Sequence, residues 1–420
     1  MKTVKDFNVK NKRVLLRCDF NVPLVDELRS SSPFANARVG DETKVSSSPF
    51  ADARVTETGK IADDFRIQQT LPTILHLIKK MAKVILISHL GKPEGVKSEK
   101  YSLKPVAKKL EELLKKPVLF LDDCVGERIK KKIDEMKPSE VVLLENLRFY
   151  KGEEENDPEF AKNLSRLGDF YINDAFGCSH RAHASIALIP KYLPSGAGLL
   201  LEREIKTLSK ISEDPRRPLI VIIGGVKIAT KIKAVERFLV RADHLLLGGQ
   251  IANAILQARG VSIGKPILEE YTPEITEKIK KINLTNSTLH LPVDVTVCLG
   301  TIIEGYIRET AIGSIRKEEQ IFDLGPETVK LFTNIIEGAK TIFWNGPLGY
   351  VEDERFVNGS LAVADAILKS KAFSVAGGGD TDAFLAKYNL RKQFSHVSTG
   401  GGAMLDFLSG EQLPGIEALK

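Results

Sequence analysis

Three consecutive segments decide the fold: Thr341-Ile-Phe-Trp-Asn-Gly-Pro-Leu-Gly349, the stretch 360–369, and Phe373-Ser-Val-Ala-Gly-Gly-Gly-Asp-Thr381. The first and third begin with short apolar runs and break into glycine, a pattern typical of buried strands. The middle segment has its apolar residues at helical spacing. A strand, a helix and a second strand in this order predict a βαβ unit with parallel strands.

The same rhythm runs along the whole chain. Short β-branched runs predict strands at 13–17, 83–88, 118–121, 141–144, 170–172, 219–223, 245–247, 289–297, 341–344 and 373–376. Amphipathic runs predict helices between them, for example at 68–80, 104–115, 158–167, 231–240 and 360–369. The expected fold class is α/β, with two Rossmann-like domains that each contain a mainly parallel sheet covered by helices.

A helical segment separates the two series of strands and is followed by the breaker Asp214-Pro-Arg-Arg-Pro218. We expect a first domain at 1–196, an interdomain helix at 197–212 and a second domain at 213–397. Residues 398–420 are expected to form a hinge and a tail that returns to the first domain.

Composition narrows the function classes. The chain has 420 residues, of which 43% are apolar, and a net charge of +6. A mildly positive charge suits a phosphorylated small molecule as a ligand. Nucleic acid is a less suitable ligand, because the sequence contains no aromatic-rich basic motif. No signal-peptide core or membrane-length apolar run occurs, so a cytoplasmic protein without membrane contact is expected. The four cysteines form no CxxC pair, which argues against disulfides and zinc.

The strand ends differ between the two halves. In the first half they carry charge, as in Arg17-Cys-Asp-Phe-Asn-Val-Pro23 and Glu145-Asn-Leu-Arg148. In the second half they carry glycine, as in Gly224-Gly-Val-Lys227 and Gly248-Gly249. Ligands of open parallel sheets bind beyond the carboxyl ends of the strands. The pattern therefore predicts a kinase with a polyanion site in one domain and a nucleotide site in the other.

Arginines at successive loop positions are candidates to surround a small phosphorylated acid, since their rigid forks match phosphate and carboxylate groups. They are Arg17, Arg66, Arg148 and Arg181. Asp19 and Asn21 would orient them. The alternative is a set of surface arginines paired locally with acids. His89, His180 and His183 lack the partners of a metal site, so phosphate donation or packing is expected of them.

In the second half, Lys227 and Lys231 are four residues apart and are expected on one face of a helix start, where they could meet phosphate oxygens. Asp380 follows three glycines and is placed to hold Mg²⁺ on nucleotide phosphates, or simply to cap a helix. Glu352 could accept hydrogen bonds from ribose hydroxyls. The common P-loop and Rossmann glycine fingerprints are absent.

Taken together, the motifs resemble phosphoglycerate kinase over nearly the whole chain. The resemblance is carried by Arg17-Cys-Asp-Phe-Asn-Val-Pro23, Asp63-Asp-Phe-Arg66, Ser88-His-Leu-Gly91, Glu145-Asn-Leu-Arg-Phe149, His180-Arg-Ala-His183, Gly224-Gly-Val-Lys227, Trp344-Asn-Gly-Pro347, Gly377-Gly-Gly-Asp-Thr381 and Ser398-Thr-Gly-Gly-Gly402. It implies reversible phosphoryl transfer from 1,3-bisphosphoglycerate to MgADP, giving 3-phosphoglycerate and MgATP, by a monomer.

The resemblance also implies roles for individual residues. The set expected to bind 3-phosphoglycerate is Arg17, Asp19, Asn21, Arg66, His89, Lys92, Arg148 and Arg181. The set expected to bind the nucleotide is Lys227, Lys231, Gly248, Gly249, Asn345, Pro347, Gly349, Glu352, Gly377, Gly378, Gly379, Asp380 and Thr381, with Asp380 on magnesium. Charge on the transferring group would be stabilised by Arg66, Lys227, Gly378 and Gly401. No general base is needed, because the acceptor carboxylate is already ionised, and hinge closure would bring the two substrates together.

Several positions depart from the family pattern. Lys92 replaces an arginine, Thr230 replaces an acid, and Gln250 replaces a glycine. A near-duplicate, Ser30-Ser-Ser-Pro-Phe-Ala-Asn-Ala-Arg-Val39 and Ser46-Ser-Ser-Pro-Phe-Ala-Asp-Ala-Arg-Val55, lies in an insertion at about 25–58. A solvated loop or a docking element for an unidentified partner would explain it. The alternative to an active enzyme is a catalytically weak homologue that acts as a scaffold through this loop.

Overall fold

The computed structural model describes residues 1–24, 60–265, 273–283, 286–300 and 305–420. The insertion at about 25–58 lies outside these residues apart from its flanks. The chain divides into two compact units, one of Met1–Arg203 with Leu413–Lys420 and one of Glu204–Gln412. Residues 398–412, expected in the returning tail, therefore group with the second unit.

The first unit contains a six-stranded, wholly parallel sheet with the order β3-β4-β2-β1-β5-β6. Its strands are β1 (Arg13–Arg17), β2 (Lys83–Ile87), β3 (Val118–Leu121), β4 (Val141–Leu144), β5 (Phe170–Asn173) and β6 (Ser195–Ala197). Its helices are α1 (Phe65–Lys79), α2 (Lys104–Leu114), α3 (Glu127–Asp134), α4 (Lys151–Glu154) and α5 (Pro158–Ser165). The short helix α14 (Pro414–Glu417) near the end of the chain also belongs to this unit.

Burial explains why these segments take these forms. The strands β1, β2 and β4 have apolar interiors, Val14-Leu-Leu16, Val84-Ile-Leu-Ile87 and Val141-Val-Leu-Leu144, and these are buried on both faces, as a helix-covered parallel sheet requires. In α1, Ile67, Ile74 and Leu77 share one buried face and pack into the core formed with β1 and β2. Arg66 therefore lies at the start of a helix whose other face is fixed by the core.

The second unit contains a six-stranded parallel sheet with the order β15-β14-β13-β7-β8-β9 and a three-stranded antiparallel sheet with the order β11-β10-β12. Its strands are β7 (Leu219–Ile223), β8 (His244–Leu247), β9 (Leu289–His290), β10 (Asp294–Leu299), β11 (Tyr306–Ala311), β12 (Glu319–Leu324), β13 (Thr341–Asn345), β14 (Phe373–Gly377) and β15 (His396–Ser398). Its helices are α7 (Ile232–Phe238), α8 (Gly249–Ala258), α9 (Pro273–Lys281), α10 (Pro326–Glu337), α11 (Asn358–Ser370), α12 (Gly379–Lys387) and α13 (Gly402–Leu408).

The connecting helix α6 (Leu199–Ser212) contains the boundary between the two units. Within the first unit, Asp174 accepts hydrogen bonds from the backbone N–H groups of Leu200 and Leu201 at 2.9 and 3.1 Å. The carboxylate satisfies donors that the first turn of a helix leaves unpaired. The predicted boundaries at 196, 212 and 397 remain predictions.

Two local predictions are wrong. The segment 289–297 was expected to form one strand, but it contains the whole of β9 and the first four residues of β10, because Pro292 lacks the N–H group that a continuing ladder needs. The antiparallel sheet that β10 forms was not predicted. Lys227 and Lys231 do not share a helix start, since α7 begins at Ile232.

All four cysteines, Cys18, Cys124, Cys178 and Cys298, are buried free thiols. Burial raises the pKa of each of them above the ordinary thiol value. Of the helices that the structure describes, none has the length and apolar composition of a membrane span.

Candidate active site

In the first unit, the strands β1, β2 and β5 end beside one another. Arg17 lies opposite Ile87 of β2 and opposite Asn173 of β5. Asp19 follows β1 and His89 follows β2, and each is only 4% exposed. The parallel sheet thus brings two of the predicted substrate residues to its carboxyl edge, where such sheets bind ligands.

Arg66 reaches Asp19 from the first turn of α1. Its Nη1 atom lies 2.6 Å from Oδ2 of Asp19, and its side chain is 30% exposed. The other carboxylate oxygen of Asp19 accepts a hydrogen bond from the backbone N–H of Asn21 at 3.2 Å. The amide oxygen of Asn21 accepts from the N–H of Gly91 at 2.8 Å. Asp19 therefore fixes the direction of the Arg66 side chain.

The remaining predicted cations lie in the segments that follow β2, β4 and β5. Arg148 is buried, donates from Nη1 to the carbonyl oxygen of Gly91 at 2.7 Å and pairs through Nε with Glu154 at 3.1 Å. Arg181 is exposed and donates from Nε to Nε2 of His180 at 3.3 Å. Lys92 is exposed. The cations thus range from a buried arginine held by protein groups to exposed groups at the surface.

The two histidines report a strongly positive environment. Burial, followed by Arg17 and Arg148, holds the pKa of His89 well below its usual range. The same causes, burial and then Arg148 and Arg17, lower the pKa of His183 to about 3. Both imidazoles are therefore neutral at physiological pH. The positive charge of the arginines, which adds to the effect of burial, is what would favour an anion here.

Arg17 does not line the surface of this cluster. Its side chain is 1% exposed, and its Nε atom donates to the hydroxyl of Ser185 at 2.9 Å. Its Nη1 atom donates to the carbonyl oxygen of Cys18, and its Nη2 atom lies 3.4 Å from Nδ1 of His89. Arg17 is thus committed to protein groups beneath the site. Sequence reasoning missed the buried partner Ser185, because no motif marks it.

One group of side chains of metal-ligand type comes together in the described part of the chain: Asp19, His89 and Cys178, with ligand atoms within 4.8 Å of one another. Arg66 already binds Asp19, and Arg17 already faces His89. Positive charge at this distance repels a metal cation. The three residues therefore serve the anion site better than a metal.

In the second unit, a pocket opens where β7, β8 and β13 end. Its lining includes Gly225, Gly249, Gly349, Glu352 and Asp380. The loops that form it are tied by backbone hydrogen bonds: the N–H of Gly225 donates to the carbonyl of Pro347 at 2.7 Å, and that of Gly249 to Leu348 at 3.2 Å. Of the three departures from the family pattern, Gln250 lies in this lining, and its N–H donates to the carbonyl of Gly225 at 3.1 Å.

Charge around this pocket is divided between a buried lysine and exposed groups. Lys231 is 5% exposed, and burial lowers its pKa, an effect that Asp380 opposes and Lys227 reinforces. Burial raises the pKa of Glu352, and Asp380 raises it further. Lys227 and Asp380 are exposed, Lys227 in the loop before α7 and Asp380 in the first turn of α12. Both signs of charge are thus available beside the glycine loops.

Two of the predicted nucleotide residues brace the loops. Thr381 is fully buried and accepts a hydrogen bond from the N–H of Gly346 at 2.7 Å. Asn345 is 3% exposed and donates from Nδ2 to the carbonyl of Gly377 at 2.7 Å. Gly378 has a φ of +105° and would place a Cβ 2.5 Å from that Nδ2 atom, so only glycine fits.

Asp323 is a pocket residue that sequence reasoning missed. It lies near the end of β12 and is 3% exposed. Its carboxylate accepts from the N–H groups of Leu324 and Gly359, each at 2.9 Å, and so anchors the start of α11. Burial raises its pKa to about 7. An acid directly after an apolar run, in Ile321-Phe-Asp-Leu324, was the available signal.

The loop after β15 is fixed to α6 inside the second unit. Glu204 is fully buried and accepts from the backbone N–H and the hydroxyl of Thr399 at 2.7 and 2.9 Å. Nε2 of His396 lies 2.8 Å from the same carboxylate. Gly401, with a φ of +52°, is the residue immediately before α13. The predicted hinge loop, residues 398–402, is therefore held by Glu204 near its start, and its last three residues are glycines.

Two parallel-sheet units, one with an arginine cluster at its strand ends and the other with a glycine-lined pocket beside two lysines, are typical of a two-domain α/β phosphotransferase. The family model described as phosphoglycerate kinase matches residues 51–411. The phosphoglycerate kinase of Pelotomaculum thermopropionicum is 41% identical over 419 residues, which cover 100% of this chain and 98% of that protein. The chain therefore belongs to the phosphoglycerate kinase family, and it is an enzyme of glycolysis that transfers a phosphoryl group to a carboxyl acceptor.

Other relatives agree over the full length. The phosphoglycerate kinase of Borrelia garinii subsp. bavariensis is 43% identical and covers 100% of this chain and 99% of its own length. The solved structure from Coxiella burnetii has 38% identity and a TM-score of 0.80, and that from Pyrococcus horikoshii OT3 has 34% identity and a TM-score of 0.81. Each covers 100% of this chain and 98% of its own. The α/β architecture of two parallel sheets is confirmed by these structures.

Proposed function

We propose that the first unit binds 3-phosphoglycerate or 1,3-bisphosphoglycerate and that the second binds MgATP or MgADP. The observation that carries the first assignment is the contact of Arg66 with the buried Asp19 at the carboxyl edge of the sheet, where His89 is also buried. Arg17, Arg148, Arg66 and Arg181 add their positive charge there and lower the pKa of His89 further than burial alone. The proposed acid-binding residues are Asp19, Asn21, Arg66, His89, Lys92, Arg148 and Arg181. Arg17 supports this set from below, because its donors are already engaged by the protein.

The proposed nucleotide site is the pocket of the second unit. Support comes from its glycine-rich loops, which leave backbone close to the ligand, and from the lysines beside them. The proposed residues are Lys227, Lys231, Gly248, Gly249, Asn345, Pro347, Gly349, Glu352, Gly377, Gly378, Gly379, Asp380 and Thr381. Thr381 and Asn345 act here by bracing the loops.

Asp380 fits a magnesium ion that arrives with the nucleotide. Its carboxylate is exposed in the first turn of α12 and lies at the pocket wall. Mg²⁺ binds through one or two carboxylates together with substrate phosphates and water, so a lone exposed acid suffices. The ion would neutralise charge on the nucleotide phosphates. Asp380 would hold it, and Lys227 and Lys231 would complete the positive surroundings.

The chemistry needs positioning and charge stabilisation rather than proton transfer. In the ATP-consuming direction the attacking group is a carboxylate, which carries no proton to remove. We propose that Arg66, Lys227 and the amides of Gly378 and Gly401 stabilise charge on the phosphoryl group in transit. Because the two substrates are assigned to different units, transfer requires closure of the units. A monomeric state and a cytoplasmic location remain predictions.

A coupled assay of ATP-dependent 3-phosphoglycerate phosphorylation tests these roles with Arg66→Ala. We expect kcat to fall on the order of 10³-fold, as for cations that act on a transferring phosphoryl group. Arg128→Ala is the matched control, because Arg128 is a surface residue that pairs with Asp122 away from the cluster. Equal rates for the two variants would remove Arg66 from the mechanism, and no turnover by the wild type would overturn the proposed function.

A further inference from the structure

We propose that Arg17 and Cys178 are positioning residues that hold His89 in one neutral tautomer, with its proton on Nε2. That N–H is then kept as a donor for an oxygen of the acidic substrate. The inference deepens the proposed function and rests on the first unit being the acid-binding unit. It concerns the free protein, however, so it has a readout that does not need turnover.

The tautomer follows from what faces Nδ1. Nη2 of Arg17 lies 3.4 Å from Nδ1 of His89, and Sγ of Cys178 lies 3.8 Å from the same atom. A guanidinium has only donors, and a protonated thiol is a weak donor, so Nδ1 has to be the acceptor. Burial, the main cause, raises the pKa of Cys178 to about 11, which keeps the thiol proton in place. A neutral imidazole with a bare Nδ1 carries its proton on Nε2.

Arg17 cannot turn away from the ring, because a buried acid fixes it. Glu153 is 0% exposed and accepts from the hydroxyl of Ser185 at 2.6 Å and from its backbone N–H at 2.9 Å. The same hydroxyl oxygen accepts from Nε of Arg17 at 2.9 Å, and Glu153 lies 3.9 Å from Nη2. Glu153 thus neutralises the arginine and fixes its direction through Ser185.

The opposite edge of the ring is the one available to a ligand. Within the described part of the chain, both polar contacts of the His89 ring are made through Nδ1. His89 follows β2 at the carboxyl edge of the sheet, beside Asp19 and its partner Arg66. A protonated imidazolium would direct a second N–H at the guanidinium of Arg17, which the charge and geometry disfavour. Nε2–H is therefore the remaining donor for a carboxylate or phosphate oxygen.

Long-range ¹H–¹⁵N NMR of the full chain without substrate tests the tautomer directly, with His89→Gln used to assign the signals. We expect a bare Nδ1 and a protonated Nε2 at pH 7. A proton on Nδ1, or an imidazolium at that pH, would overturn the proposal. This result does not depend on activity, so it is separate from the test of the proposed function.

Titration with 3-phosphoglycerate tests whether the Nε2–H group of His89 donates to the substrate. We expect the Nε2 and Hε2 signals of His89 to shift, while ADP alone leaves them unchanged. If the enzyme turns over 3-phosphoglycerate and these signals do not move, the substrate-facing part of the proposal is wrong. If they shift as expected but no turnover occurs, the proposed function fails and the positioning inference stands.

Variants separate positioning from simple structural support. The double variant Arg17→Met with Glu153→Gln removes both buried charges together, so that neither remains unpaired. We expect a mixture of tautomers and a KM for 3-phosphoglycerate raised about 10-fold, with the KM for ATP unchanged. Cys178→Val should shift the tautomer in the same direction and carries the test if the double variant does not fold. Cys178→Ser, which keeps a donor, should restore the wild-type spectrum. Wild-type spectra and KM values in both disruptive variants would overturn the roles of Arg17 and Cys178.

Discussion

Asp323 is a single carboxyl group whose burial should be measurable as a pH dependence of stability. Its pKa rises from an unperturbed 3.8 to about 7 because burial disfavours the charged form. A folded-state pKa above the unfolded value means that its contribution to stability is full below about pH 4. That contribution is lost progressively as the pH rises to about 7.

We therefore expect the free energy of unfolding of the wild type, relative to Asp323→Asn, to fall as the pH rises from 5 to 8. The slope should be no more than about 1.4 kcal/mol per pH unit, the limit for one proton. Urea unfolding at four pH values measures it. Asp365→Asn, on the exposed side of α11, is the control and should leave the pH dependence unchanged. A constant difference between wild type and Asp323→Asn would show that the folded-state pKa is not raised.

Lys92 is a second residue whose substitution has a specific expected effect. It is exposed beside the arginine cluster, at a position where the family usually has arginine. A lysine acts as a point charge, whereas an arginine can bind phosphate with two parallel hydrogen bonds. We expect Lys92→Arg to lower the KM for 3-phosphoglycerate by a few-fold, roughly the worth of one added charged hydrogen bond in a solvated site. Lys108→Arg, on the exposed face of α2, should leave the KM unchanged. A KM that rises with Lys92→Arg would mean that lysine is the better fit here.

At the scale of elements, the close approach of β12 and the loop after β13 explains why a glycine is needed in the proposed nucleotide pocket. A Cβ on Gly349 would lie 2.2 Å from Oδ1 of Asp323 and 2.4 Å from the carbonyl oxygen of Phe356. Gly349→Ala should displace the loop that leads to Glu352 and raise the KM for ATP about 10-fold, with the KM for 3-phosphoglycerate unchanged. Gly313→Ala, where nothing lies within 4 Å, is the matched control. Steady-state kinetics with each substrate varied would detect the split, and equal effects on both KM values would contradict it.

The elements also show what sequence patterns could predict. The buried parallel strands were predicted closely, for example β1 and β7, because a helix-covered strand is a continuous apolar run. The antiparallel sheet was not predicted, because β11 has a single buried residue and its sequence, Tyr306-Ile-Arg-Glu-Thr-Ala311, contains no continuous apolar run.

For the candidate site, residues in motifs could be named, and Asp19 and Arg66 do meet. The buried residues that support them could not be predicted from the sequence. Glu153 and Ser185 reach Arg17 only through the fold, from positions far along the chain. The sequence also did not predict that Arg17 is buried, because its motif has the composition of a charged loop.

At the scale of the whole molecule, the insertion is attached at two adjacent points of the first unit. Leu24 and Ile61 form an antiparallel bridge, and the N–H of Ala62 donates to the carbonyl of Pro23 at 2.9 Å. Deleting residues 26–57 would leave Val25, Thr58, Gly59 and Lys60 to join that bridge, a suitable length for a hairpin turn. We expect kcat to stay within a few-fold of the wild type in the coupled assay, because the bridge holds the flanking chain on both sides of the deletion. A soluble, folded deletion variant with collapsed activity would show that the insertion shapes the substrate site.

The burial of all four native thiols has a practical consequence for measuring whether the two units move relative to one another. Protonated and buried cysteines react slowly with maleimide dyes, so we expect little labelling of the native cysteines. One new surface cysteine in each unit could then carry a donor and an acceptor fluorophore without first replacing the natural residues. Single-molecule energy transfer on such a protein would give the distribution of separations between the units with each substrate, and with both.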